Sequence, residues 1–242
     1  MNLELEDRVF LITGGSDGLG LALATKLIEE GARVAICGRD EERLTRVQEL
    51  LGSAAWCCRA DITQSNELDG FIDEALFRFG RLDGAVNNAG KSSATSIAAS
   101  SDETWREDYE LKVIAALHLS RRVLDALEVS KGSIINVLAI GARTPGANST
   151  PTAASRSAGL ALTKAMASEV GPRGIRVNAI LIGLIESGQW VRRAQDASVE
   201  LSEFYANLAR SSKIPLGRVG RAEEFADVAA FLLSPRASYV TG

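Results

Sequence analysis

The stretch Leu11 to Gly20, LITGGSDGLG, constrains this chain more than any other. An apolar run passes into a glycine-rich turn and then into the apolar-periodic segment Leu19 to Ile28, the order of a strand, a turn and a helix. Gly14 and Gly18 permit backbone conformations with positive φ, and Gly20 lets the helix lie close against a sheet. The first amides of such a helix point over the turn, where the helix dipole favours an anion. The pyrophosphate of a dinucleotide is the usual occupant; a tight turn with no ligand is the alternative.

The pattern repeats along the chain. Arg8–Thr13, Arg33–Cys37, Ala54–Arg59, Asp83–Asn87, Ser133–Leu138 and Arg176–Leu181 read as strands. Leu19–Glu30, Glu41–Leu51, Asn66–Phe79, Glu103–Leu127, Ala153–Val170 and Ala222–Leu233 read as helices between and after them. Strands that are continuously apolar and alternate with helices predict an α/β fold, a Rossmann-type doubly wound parallel sheet with helices on both faces. With 242 residues, 46% of them hydrophobic, and no linker or repeat, one domain over residues 1–242 is expected. The polar stretch 186–212 reads as a helical insertion over a substrate cleft, with Trp190, Phe204 and Tyr205 either lining it or packing it down. Gln189 and Arg192 are polar residues of the same stretch, and its register assigns neither to a ligand. The chain stops at Tyr239-Val240-Thr241-Gly242, where one more strand is expected.

Several function classes are disfavoured. A net charge of −4 offers no basic patch for nucleic acid. No apolar run reaches membrane length, and no charged-then-apolar leader precedes the first strand. Cys37, Cys57 and Cys58 read as buried thiols of a cytoplasmic protein, because adjacent Cys57 and Cys58 point to opposite faces of a strand. The single histidine, His118, reads as a helix-face residue, and no metal site assembles around it.

Four motifs then fall in order and spacing. Thr13-Gly14-Gly15-Ser16-Asp17-Gly18-Leu19-Gly20 fits TGxxxGxG, Asp61 follows the third strand, Asn87-Asn88-Ala89-Gly90 fits NNAG, and Arg176-Val177-Asn178-Ala179 fits RVNA. Across essentially its whole length the chain resembles the short-chain dehydrogenase/reductase family. That resemblance implies a seven-stranded Rossmann-type sheet, an NAD(P) cofactor, oxidoreductase activity on a small carbonyl or alcohol substrate, and a homodimer or homotetramer. The contacts between copies would use the helices from Glu103 and Ala153, with Ala154, Ala158 and Ala161 allowing close approach.

On the cofactor side, the resemblance places Gly14, Ser16, Asp17, Gly18 and Leu19 along the pyrophosphate and ribose, Asp61 and Ile62 at the adenine, and Asn88, Ala89 and Gly90 under the ribose. It gives Asn87 a structural role. Cys37 stands where NAD-preferring members carry an acid, and Arg39 follows. A guanidinium grips a 2′-phosphate in fork fashion, so NADP is favoured over NAD, although Asp17 would repel that phosphate.

The catalytic side departs from the family. Its Asn-Ser-Tyr-Lys tetrad would fall at Lys112, Ala139, Thr152 and Arg156, set by Trp105, by the stretch Asn136-Val137-Leu138-Ala139 and by Thr152-Ala153-Ala154-Ser155-Arg156. A methyl group cannot donate a hydrogen bond, and an aliphatic hydroxyl is a far weaker acid than a phenol. Arg156 cannot give up a proton but can bond a ribose hydroxyl. Ile182-Gly183 stands for the family's proline-glycine, and Ser187 would bond the nicotinamide amide. Standard activity is therefore expected to be absent or very weak. Three readings stay open: an oxidoreductase with altered catalysis, in which Lys112 acts as the acid and Arg156 binds an anionic group; a nucleotide-binding sensor or partner subunit; or lyase or isomerase chemistry in the same cleft. For Lys112 itself, exposure to solvent or pairing with Asp108 is the competing expectation.

Overall fold

The structure, a computed structural model, describes residues 1–242. Strand β1 (Val9–Thr13) is buried along its whole length. It pairs in parallel with β2 (Arg33–Gly38) on one side and with β4 (Gly84–Asn87) on the other. With β3 (Ala55–Arg59), β5 (Ser133–Ala139) and β6 (Arg176–Ile182), they form one parallel sheet in the order β3-β2-β1-β4-β5-β6. Strand order reverses between β1 and β4, so a crevice opens at the carboxyl ends of these strands.

Alternate side chains of β1 feed two cores. Phe10 and Ile12 join the first, with Leu23 and Leu27 of α1 (Gly18–Glu29), Leu44 and Val47 of α2 (Glu41–Leu51), and a final helix whose Phe225 and Leu233 face the sheet. Val9 and Leu11 join the second, with Phe71 and Ile72 of α3 (Ser65–Phe79) and with Leu119 and Met166 on two further helices. A fully buried side chain such as Phe10 contributes roughly 1.5–3 kcal/mol.

The apolar segment expected as one helix over Glu103–Leu127 is broken. Helix α4 (Asp102–Tyr109) passes into a wide π turn at Glu110–Ile114 and then into α5 (Ala115–Ser130). Apolar residues continue through all three pieces, so the pattern hides the change of winding. Helix α6 (Thr152–Val170) follows β5. The insertion forms two helices, α7 (Gly188–Asp196) and α8 (Leu201–Ser211), before α9 (Ala222–Leu233). Trp190, Phe204 and Tyr205 pack on one another with ring centroids 6.3 Å apart for each neighbouring pair. The sheet has six strands rather than seven; Gly242 N donates to Val177 O at 2.8 Å, so the last residues run beside β6.

The thiols also differ from expectation. Cys37 is buried, but Cys57 and Cys58 on β3 are only half-buried, because β3 is an edge strand. Burial pushes the Cys37 thiol up to about 12. His118 Nε2 lies 2.9 Å from Asp69 Oδ1 and joins α5 to α3. No helix is long and apolar enough to cross a membrane.

One buried carboxylate ties strand starts together. Asp83 accepts from Val9 N at 2.9 Å and from Arg8 and Arg81 at 2.8–3.0 Å. Asp83→Ala leaves the buried Val9 amide unpaired and should destabilise the protein by about 2–4 kcal/mol. The check is a lower urea midpoint with an unchanged slope.

Candidate functional site

The turn after β1 and the loop after β4 are stitched into one floor. Asn88 Nδ2 donates to Thr13 O and Gly14 O, each at 2.9 Å. Thr13 Oγ1 accepts from Asn88 N and Ala89 N at 3.1 Å. The Asn88 amide thus holds the glycine turn, and the chain presents the backbone of Ala89 and Gly90 to the crevice. Gly14 has φ +66° and Gly18 φ +52°. A Cβ on Gly14 would lie 2.8 Å from Ala89 Cα, and one on Gly20 would lie 2.5 Å from Gly14 O. These close approaches are why glycine is needed there, and they leave a cradle at the amino end of α1 beside Ser16 and Leu19. Ser187, just ahead of α7, faces Gly18; its Cβ is 3.9 Å from where a Gly18 Cβ would be. Asn87 serves the frame: its Nδ2 donates to Asn136 Oδ1 at 2.8 Å and to Ser120 Oγ at 3.1 Å.

Charges gather at the β2 end of the crevice. Asp17 caps α1, accepting from Gly18 N at 2.7 Å, and its other oxygen lies 3.3 Å from Arg43 Nη1. Arg43 also pairs with Asp40 at 3.1 Å. The repulsion expected from Asp17 is therefore offset by a neighbouring guanidinium to which nothing in the local sequence points. Arg43 sits in the first turn of α2, where an arginine looks like an ordinary solvated helix residue. Arg39 is exposed just before Asp40, the residue that caps α2. Burial works against the Asp61 carboxylate, yet hydrogen bonds from Thr63 and the charges of Arg39 and Arg59 hold it below the usual range. Asp61 Oδ1 accepts from Thr63 N and Oγ1 at 3.0 and 2.8 Å. Ile62 and Ala89 line a cavity under this floor.

Lys112 and Arg156 border the same cavity. Lys112 is carried on the π turn, and its side chain is wholly buried. The alternative of a solvent-facing lysine is thereby excluded. Its ammonium pairs with Asp108 and donates to Thr152 Oγ1 at 3.1 Å. Asp108, also fully buried, accepts from Ser155 Oγ at 2.6 Å. Burial brings the Lys112 pKa down to about 8, with the Asp108 pairing opposing and the charges of Arg156 and Lys91 assisting. Burial likewise pushes Arg156 below its usual value, with Asp108 opposing. Arg156 Nη1 donates to Val137 O at 2.6 Å, while its buried Nε has no partner. A Cβ on Gly90 would lie 2.7 Å from Arg156 Nη2, so Gly90 makes room for the guanidinium. Ala139 closes β5 and offers only a methyl group.

The cradle suits a dinucleotide: glycine-lined, at a helix amino terminus, with a sealed unpartnered guanidinium nitrogen at its inner end. No group of three or more His, Cys, Asp or Glu side chains converges in the fold.

Comparison with known proteins agrees with this geometry. A family model described as enoyl-(acyl carrier protein) reductase matches residues 14–242. The chain is 33% identical to the 3-oxoacyl-(acyl-carrier-protein) reductase of Chlamydia pneumoniae, covering 100% of this chain and 95% of that one. The NADPH-bound short-chain oxidoreductase of Pseudomonas aeruginosa PAO1, which contains an atypical catalytic center, is 37% identical with a TM-score of 0.92, over 97% of this chain and 92% of that one. L-sorbose reductase of Gluconobacter frateurii, complexed with NADPH and L-sorbose, is 30% identical with a TM-score of 0.93, over 100% and 95% of the two chains. A likeness that runs through nearly the whole length in both sequence and fold decides the matter: this chain belongs to the short-chain dehydrogenase/reductase family.

Proposed function

We propose that this protein binds NADP(H) and is an oxidoreductase of its family whose usual proton-transfer residues are replaced, so that reduction through a phenol does not occur. Membership of the family supplies the NAD(P)-dependent oxidoreductase class. The observation that carries the rest is the content of the cavity beneath the glycine turn, where Lys112 and Arg156 stand and no tyrosine does. The chain has three tyrosines. Tyr109 stacks on Trp105 at 6.4 Å, Tyr205 packs edge-on against Phe204 in α8, and Tyr239 is fully exposed near the carboxyl end.

In this reading Lys112, Ala139, Thr152 and Arg156 take the places of the family's Asn, Ser, Tyr and Lys. Thr152 opens α6 and Arg156 follows one turn later, so both aim at the carboxyl ends of β4 and β5. Gly14, Ser16, Gly18 and Leu19 hold the pyrophosphate, Asp61 and Ile62 the adenine, and Ala89, Gly90 and Arg156 the inner ribose, with Ser187 at the nicotinamide. When bound, the reduced cofactor supplies a hydride. Losing a positioned acid slows such a reaction by about 10² or more. The second reading, a cofactor-binding protein without turnover, is favoured by Ala139, which leaves the end of β5 without a donor.

NADP is preferred because Arg39 and Arg43 flank the crevice where the 2′-phosphate would lie, and Arg43 offsets Asp17. Two similar solved structures hold NADPH.

Two measurements test this. In calorimetry NADPH should bind more tightly than NADH, and Arg39→Ala or Arg43→Ala should each weaken NADPH binding by about tenfold while leaving NADH nearly unchanged. Tighter binding of NADH would refute the preference. In steady-state reduction of activated diketones, turnover should lie about 10² below that of a relative with an intact tetrad. Turnover at the relative's level would refute the replacement.

A further inference from the structure

Thr152 Oγ1 accepts two hydrogen bonds, from Lys112 Nζ at 3.1 Å and from Ser93 N at 2.9 Å. A hydroxyl has two acceptor lone pairs and one proton. With both lone pairs engaged, the Thr152 proton is left to point at an acceptor outside this network. Of the four side chains linked here, Thr152 is the one that is partly exposed; Lys112, Asp108 and Ser155 are buried behind it. The three elements that meet here are α4 with Asp108, the π turn with Lys112, and α6 with Thr152 and Ser155. Asp108 accepts from Lys112 with one oxygen and from Ser155 with the other, which fixes the carboxylate and hence the lysine. A π turn is a frequent way to aim a functional side chain.

We propose that Thr152, Lys112 and Asp108 form a proton relay: Thr152 donates to the substrate oxygen, Lys112 replaces the Thr152 proton, and Asp108 positions Lys112. The relay rests on reading the protein as an oxidoreductase that binds a reduced nicotinamide dinucleotide. In the reducing direction, a hydride from that dinucleotide forms the new C–H bond at the carbonyl carbon, and the C=O π pair moves to oxygen. That oxygen takes the Thr152 proton as Thr152 Oγ1 takes one from the Lys112 ammonium. The dinucleotide ends oxidised, the carbonyl ends as an alcohol, and neutral Lys112 regains its proton from solvent after product leaves. Concerted transfer spares Thr152 from becoming a free alkoxide. A threonine too weak to act as an acid by itself can therefore still be the group that touches substrate. Thr152 and Lys112 are catalytic residues in this scheme; Asp108, supported by Ser155, is a positioning residue.

The charged groups facing Lys112 are Asp108 on α4, Arg156 on α6 and Lys91 on the loop after β4, the last within 4.0 Å of Glu107. Reduction needs the ammonium form, so its rate should fall as pH rises through about 8. Removing the Asp108 charge removes what opposes burial, Arg156 and Lys91, and should move that fall to lower pH.

The experiment uses the full chain with NADPH, with phenanthrenequinone and diacetyl as probe carbonyls, beside magnetic-resonance titration of isotope-labelled lysine in the free protein. The Lys112 signal, assigned by its loss in Lys112→Met, should titrate at the pH where the rate falls. Asp108→Asn should shift both together. Thr152→Val should lower turnover by about 10² with NADPH binding retained, and Thr152→Ser should restore it. Lys112→Arg, which keeps the charge next to Asp108 but cannot release a proton, should slow the reaction and abolish the pH dependence. The relay is overturned by unchanged turnover in Thr152→Val, by a rate profile that does not follow the Lys112 signal, or by wild-type protein that binds NADPH and reduces neither probe. Failure to bind NADPH or NADH in calorimetry is a separate outcome, and it overturns the oxidoreductase reading beneath the relay.

Discussion

A parallel sheet buried on both faces leaves little room for polar side chains along its strands, so polar groups collect at the strand ends. Every strand here runs the same way, and the order reverses between β1 and β4. At that reversal Thr13 and Asn88 bond to each other, and Thr13 and Arg156 border one cavity. The constraint also explains the stitching of the floor. Buried backbone groups must be paired, and two adjacent loops that cannot continue the ladder have their carbonyls and amides satisfied by Asn88 and Thr13. The glycines then remain open toward the crevice instead of collapsing on it.

Behind the crevice, the pairing of Lys112 with Asp108 is costly to maintain. Removing a charge from water costs several kcal/mol per ion after relaxation, and a well-packed apolar pair of similar volume is often as stable or more so. Burial is the largest single influence on Lys112, and with the charges of Arg156 and Lys91 it outweighs the help from Asp108, so the lysine is held closer to losing its proton than one at the surface. A lysine lowered in this way and bonded to a partly exposed hydroxyl is the arrangement the proposed relay uses. The contrast within the same chain is Asp83. It is equally buried, but its guanidinium partners reach solvent and its other bond is to a backbone amide, which is how a structural carboxylate is satisfied.

Much of this was legible in the residues. The glycine turn and the strand and helix alternation follow from local backbone demands, and local demands are written locally; the bonds by which Asn88 holds the first turn join residues far apart in sequence and were not legible. What stayed hidden depends on long-range packing. The π turn was invisible because the apolar pattern from Trp105 to Leu127 stays continuous while the winding changes beneath it. The pairing of Lys112 with Asp108, four residues apart on one helix face, was legible, but the burial of that pair and the Ser155 bond to Asp108 were not, because both come from α6 packing over them. Arg43 reads as a solvated helix residue until α1 brings Asp17 beside it. Cys57 and Cys58 read as core because β3 is apolar, but an edge strand has one side left open. Each miss concerns a residue whose neighbour comes from another part of the chain.

Gly90 and Arg156 show how a backbone feature and a side chain can require each other. A guanidinium is broad and rigid where an ammonium is compact, and here it lies between the Val137 carbonyl and the loop after β4. Any side chain on Gly90 would begin 2.7 Å from Arg156 Nη2, so the cation keeps its place only because that residue has none. The glycine has no positive φ to justify it and no ladder to protect. Its justification is the arginine, and the arginine's unpartnered Nε in turn has no justification within the protein itself. A buried donor left without a partner costs about 1–3 kcal/mol. In the reading proposed above, the ribose hydroxyl of a dinucleotide lying on the Ala89–Gly90 backbone would bring an acceptor to the guanidinium's end of the crevice, which is what a donor kept there at such a cost would be for.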